Sequence, residues 1–69
     1  MHNAKLSASP RLQRTFDVLL DGKWHTTRDI VRKAHVMAVS AVVSELRANG
    51  INVECERRKN LWFYRLETK

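Results

Sequence analysis

Apolar side chains recur along this chain with two different periods, and the change from one to the other divides it. Leu12, Phe16, Leu19 and Leu20 fall on one face of a helical repeat. The segment opens on Ser9-Pro10, a hydroxyl able to cap a first-turn amide followed by a residue whose missing N–H costs nothing there. It closes on Asp21-Gly22, where glycine suits a left-handed cap. These signals predict a helix from Pro10 to Asp21, with Arg11 and Arg14 off its apolar face. Lys23-Trp24-His25 is too short for a helix and reads as extended. Thr26-Thr27-Arg28-Asp29 then has the hydroxyl and carboxylate of a capping box. It begins a second helix with Ile30, Val31 and Ala34 inward and Arg28 and Arg32 outward. Asp29 and Lys33 form an i,i+4 pair, and the helix ends near Ala34 or His35.

After a turn at about His35 to Met37, Val39, Val42, Val43 and Leu46 mark a third helix that stops at Asn49-Gly50. Its valines are poor helix formers, so packing must hold it. Beyond Gly50 the period falls to two. Ile51, Val53 and Cys55 alternate with Asn52, Glu54 and Glu56; Trp62, Tyr64 and Leu66 alternate with Leu61, Phe63 and Arg65. That is a hairpin with Arg57-Arg58-Lys59-Asn60 at its tip. Residues 1–8 have no period and read as a flexible arm, residues 9–69 as one domain. Helix, short strand, helix, turn, helix, hairpin is the order of an α+β winged helix-turn-helix: three helices plus a small antiparallel sheet with one β-hairpin wing. An unrelated small α+β domain is the competing reading.

Length and charge narrow the function. The 69 residues carry 13 Lys plus Arg against 7 Asp plus Glu, a formal net charge of +6. So short a chain has little room for a catalytic cleft beside its core, and no enzyme is expected. The single cysteine, Cys55, offers neither an internal disulfide nor a Cys-rich zinc site. His2, His25 and His35 show no close ligand spacing with it, so no metal or cofactor is expected. The serines lack a partnered base, and the acids are scattered singly. The start, MHNAKLSA, has no apolar core of a secretory signal, and no apolar run approaches a membrane span. The expectation is a cytoplasmic protein. Its positive surplus favours a polyanionic partner, since phosphates attract Lys and Arg and release counterions when neutralised.

The cations concentrate at Arg57, Arg58 and Lys59, which are the leading phosphate contacts; the alternative is a solvated tip that only discourages edge pairing. The start of the second helix, Thr26, Thr27 and Arg28, offers amides and hydroxyls to another phosphate, although capping alone also accounts for Thr26. With the valines inward, the third helix presents Met37, Ser40, Ala41, Ser44 and Arg47 as candidate base contacts. This surface is lean for reading sequence, because only Arg47 can make a bidentate contact. Trp24, Phe16, Trp62 and Tyr64 are assigned to the core. Leu61 and Phe63 fall on the other face of the hairpin and, if exposed, suit a protein or dimer contact.

The stretch GKWHTTRDIVRKA, followed by VSELRANGINVECERRKNLWFYRL, resembles the N-terminal winged-helix DNA-binding domain of bacterial biotin operon repressors. The likeness lies in glycine, charged, aromatic, histidine and hydroxyl before the second helix, and in Leu-Arg-x-x-Gly-Ile-x-Val at the end of the third. It spans about Phe16 to Leu66 through structural positions. The segment between the second and third helices is shorter than the family's and no effector domain follows, so biotin chemistry is not implied. What the resemblance implies is a third helix in the major groove and a wing on the backbone. The size also resembles small phage or prophage regulators. The first expectation is therefore a nucleoid-associated transcriptional regulator, in a bacterial or phage-infected cell, that binds double-stranded DNA. About four to six backbone contacts would give a salt slope of about −4 to −5. The second, from a different class, is a winged-helix protein-interaction or inhibitory module. A homodimer, or a protein partner on the exposed face of the third helix or the hairpin, is open under both.

Overall fold

A computed structural model describes residues 8–67 of the chain. The expected arm over residues 1–8 lies outside the described residues up to residue 7. In chain order the elements are α1 (Pro10–Leu19), β1 (His25–Thr26), α2 (Thr27–Ala34), α3 (Val39–Ala48), β2 (Val53–Arg58) and β3 (Leu61–Leu66). This is an α+β arrangement in which one antiparallel sheet, ordered β1-β3-β2, joins the three helices.

Local chemistry starts and stops the helices. Ser9 Oγ accepts from the Leu12 amide at 3.3 Å, with Pro10 in the first helical position. At α2 both halves of the capping box form: Thr26 Oγ1 accepts from the Asp29 amide at 3.1 Å, and Asp29 Oδ2 from the Thr26 amide at 3.3 Å. The backbone bond from Thr26 stabilises the ionised form and holds the Asp29 carboxyl below its ordinary range. α2 ends at Ala34, and His35 adopts the left-handed conformation. Arg14 Nε donates to the Ala34 carbonyl at 2.8 Å, so α1 satisfies an end of α2 that the helix cannot satisfy itself.

The core gathers Leu12 and Leu19 from α1, Ile30 and Ala34 from α2, and Val39, Val42, Val43 and Leu46 from α3. Val53, Tyr64 and Leu66 close it from the sheet, and Val36 enters it from the loop between α2 and α3. All four inward positions expected of the third helix are buried. Burying a Val or Leu side chain is worth about 1.5–3 kcal/mol, which is how packing holds a valine-rich helix.

Several expectations need correcting at the ends of elements. α1 ends at Leu19 rather than Asp21, and Leu20 is exposed. The place expected for it is taken by Thr15, fully buried because its hydroxyl donates to the Arg11 carbonyl at 3.0 Å. Val31, assigned inward, lies on the exposed side of α2. The short strand is His25–Thr26, displaced from Lys23-Trp24-His25, and Trp24 is only half-buried. Most consequential is Trp62, assigned to the core but 45% exposed. It stands four residues along β3 from buried Leu66, about 13 Å toward the turn at strand rise. Near the turn the ring faces two hollows rather than the core.

The hairpin turn is Lys59-Asn60 alone; Arg57 and Arg58 belong to β2. Both turn residues have positive φ, 49° and 68°, the combination that a two-residue type I′ turn requires. Register pairs Arg57 with Trp62, Cys55 with Tyr64 and Val53 with Leu66 on the face toward the helices. Glu54 with Arg65, Glu56 with Phe63 and Arg58 with Leu61 take the other face.

Candidate nucleic-acid interface

The exposed side of α3 and the helix-facing side of the hairpin enclose a groove of about 600 Å³. Met37, Ser40, Ser44 and Arg47 line it from α3 and the loop before it, Thr27 from the start of α2, and Cys55, Trp62 and Tyr64 from the sheet. A second hollow of about 390 Å³ adjoins it, between Thr26, Thr27 and Arg28 on one side and Asn60, Leu61 and Trp62 on the other. Thr27 and Trp62 border both. The two residue sets picked out on the second and third helices are thus brought into one continuous surface. Ala41 is the exception. It lines a separate hollow with Arg11, Arg14 and Val42, on the α1 side of α3.

No carboxylate lines either part of this surface. The acids nearest to it are engaged elsewhere. Glu45 takes two hydrogen bonds from the Arg11 guanidinium, at 2.9 and 3.1 Å, and so leans onto α1. Glu54 pairs with Arg65 at 2.6 Å and Glu56 with Arg58 at 2.7 Å, both on the outer face of the hairpin. The Arg58 hydrogen bond holds the Glu56 carboxyl below its ordinary range. Asp21 binds the buried His25 ring at 2.9 Å and accepts from the Lys23 amide, and its carboxyl is held low first by the His25 hydrogen bond.

The cations fall into two groups. Arg58 is tied down: besides Glu56, its guanidinium lies 5.9 Å from the Trp24 ring centroid and 5.7 Å from that of Phe63. Arg65 covers Trp24 more closely, at 4.5 Å. Together they build a cation–aromatic stack on the outer face, pointing away from the groove. Arg57 instead shares the groove side with Trp62, and its sole recorded partner is the neutral Asn60 Oδ1 at 3.3 Å. Lys59 and Arg28 have no hydrogen-bond or ion-pair partner among the described residues. Of the tip triplet, two residues are therefore disposed toward an external anion.

Arg47 has a role that its position in the sequence does not reveal. Its Nε and a terminal nitrogen donate to the Val53 carbonyl at 3.2 and 2.8 Å, and the latter lies 3.7 Å from Cys55 Sγ. The guanidinium lends its charge to the groove while two of its donors fasten α3 to the start of β2. Ser40 and Ser44 remain the exposed hydrogen-bonding side chains of α3 within the groove.

Trp62, Leu61 and Asn60 belong to the surface; the sequence places Trp62 in the core, Asn60 at the hairpin tip, and Leu61 as a partner contact if exposed, which it is. Alternation assigned Trp62 inward, which is right for its face but not for its depth. The discriminating signal was its place one residue after the strand begins, next to the turn. Among the described residues no group of three His, Cys, Asp or Glu side chains is placed to hold a metal ion, and no helix is long and apolar enough to cross a membrane. No protein-family model, curated protein or solved structure matches this chain.

Proposed function

We propose that this chain is a winged-helix DNA-binding protein, a small transcriptional regulator that receives double-stranded DNA in the groove between α3 and the hairpin. The observation that carries the reading is the absence of any carboxylate from a surface lined by Arg28 and Arg47, with Arg57 beside Trp62 on the same face of the hairpin. Glu45, Glu54 and Glu56 are each paired with an arginine, and Asp29, in the first turn of α2, is bonded back to the Thr26 amide. Solubility alone does not require that segregation, whereas a phosphate backbone does. In this reading α3 enters the major groove with Ser40 and Ser44 toward base edges and Met37 toward thymine methyls. Arg57 and Lys59 of the wing, and Arg28 with the α2 amides of Thr27 and Arg28 outside the capping box, hold phosphates. Two serines supply few bidentate contacts, so selectivity rests largely on the shape of the duplex.

A second reading, a protein-interaction or inhibitory module, draws support from Met37, Leu61 and Trp62, large apolar side chains left 93%, 54% and 45% exposed around the same surface. Fluorescence polarisation with a labelled random duplex at low salt separates the two. Binding that Arg28→Ala and Lys59→Ala each weaken supports the DNA reading. No duplex binding, with a stable protein complex recovered instead, supports the second.

A further inference from the structure

The two tryptophans are treated differently. Trp24, on the outer face, has the Arg65 and Arg58 guanidinium groups over its ring at 4.5 and 5.9 Å. Among the described residues no cation covers Trp62, which is 45% exposed and borders a hollow on each flank, one against α3 and one against the start of α2. It forms a ridge between them. Arg57 lies directly across the ladder from Trp62, on the same face of the hairpin. An open aromatic ring between flanking cations, on a surface without carboxylates, fits a nucleobase with its phosphates.

We infer that Trp62 stacks on a base displaced from the double helix, so that the protein prefers DNA carrying an unpaired base over uninterrupted duplex. The inference rests on the DNA reading above and names the feature of the DNA that this surface selects. Within an intact duplex, both faces of every internal base are already stacked, and opening a step costs about as much as one aromatic contact returns. Where a base is already extruded, that cost is absent and the contact adds to the affinity. The ring therefore discriminates by the state of the stack, which suits an interface whose reading helix offers two serines rather than bidentate side chains.

The test is a polarisation titration of the full chain against a short duplex and the same duplex with one extra, bulged base. Wild-type protein should bind the bulged DNA about tenfold more tightly, within the range of one base–aromatic stack. Trp62→Leu, which keeps an apolar side chain at an exposed position, should lose that preference and bind the two DNAs with equal affinity. Trp62→Phe should retain most of it. Bulged DNA should also quench wild-type tryptophan fluorescence, and the quench should vanish in Trp62→Phe, where only Trp24 remains. Equal affinity of the wild-type protein for the two DNAs, or a preference undiminished in Trp62→Leu, overturns the inference and leaves duplex binding standing. Failure to bind either DNA at low salt overturns the DNA reading itself.

Discussion

Glu45, the one acidic residue of α3, is held by Arg11 of α1 through hydrogen bonds of 2.9 and 3.1 Å to its two carboxylate oxygens. The pair spans two helices and turns a negative charge away from the groove that α3 borders. Arg11 thus shapes the charge around the groove without lining it. Arg11→Ala should weaken duplex binding about two- to fivefold by releasing that charge toward the phosphates, the scale of one exposed charge interaction. Glu45→Gln should tighten binding by a similar factor. Polarisation titrations of the two variants check both directions, and Glu45→Gln binding no better than wild type would detach Glu45 from the interface.

The hairpin tip separates charge from stability. Lys59 sits at φ 49°, a conformation costly for a residue with a long side chain, and asparagine is preferred there. Lys59→Asn should stabilise the fold by about 0.5–1 kcal/mol, a few degrees in Tm, while reducing the magnitude of the salt slope by about 0.9. Arg57→Ala should reduce it equally. Arg58→Ala should leave the slope nearly unchanged, because that guanidinium is committed to Glu56, Trp24 and Phe63. Thermal melts and salt-series titrations on the same samples measure both quantities.

Arg47 was the strongest candidate for base readout in the sequence, and its bonds to the Val53 carbonyl change the expectation. Arg47→Ala should cost about 1 kcal/mol of stability by leaving that carbonyl without its charged donor. Ser40→Ala and Ser44→Ala, at exposed helical positions, should leave Tm nearly unchanged and alter the ranking of duplexes in a competition against mixed sequences.

What was legible in the chain was periodic or locally capped. Val39, Val42, Val43 and Leu46 announce their helix because each repeats the face of the one before, and the Thr26 to Asp29 box announces its own start. Val36 carries no such signal, since it lies in a loop and is buried only because α2 and α3 meet over it. Thr15 is polar by composition and buried by geometry, made acceptable by a bond to its own helix. Trp62 shows the reverse: alternation fixes which side of a strand a residue faces, whereas its depth depends on how far the helices extend beneath it. The groove was half visible for the same reason. Its helix-borne residues follow from periodicity, and the residues that close it follow from the relative lengths of elements distant in sequence.

Acid sensitivity follows from three carboxyls. Asp21, Asp29 and Glu56 are all held below their ordinary values, by the His25 ring, the Thr26 amide and Arg58 respectively. In the unfolded chain each takes up its proton at higher pH than in the fold, so the unfolded state binds more protons across the acidic range. Their contribution is fully present above the ordinary carboxyl values of 3.8 and 4.5 and is lost as pH falls through the lowered ones. Tm should be level from neutrality to about pH 5 and drop below pH 4. Asp21→Asn should make that drop shallower; an unchanged acid limb would remove the Asp21–His25 contact from the account.

The most direct test of a polyanion-binding groove is the salt dependence of duplex affinity. Arg28 and Arg47 line it, Arg57 lies on its side of the hairpin and Lys59, unpaired among the described residues, sits at the turn, while Arg58 is engaged on the opposite face. A polarisation titration over a salt series should give a plot of log affinity against log salt with a slope of about −3 to −4, independent of duplex sequence to first order. A slope near zero, or no binding at the lowest salt, would contradict the account.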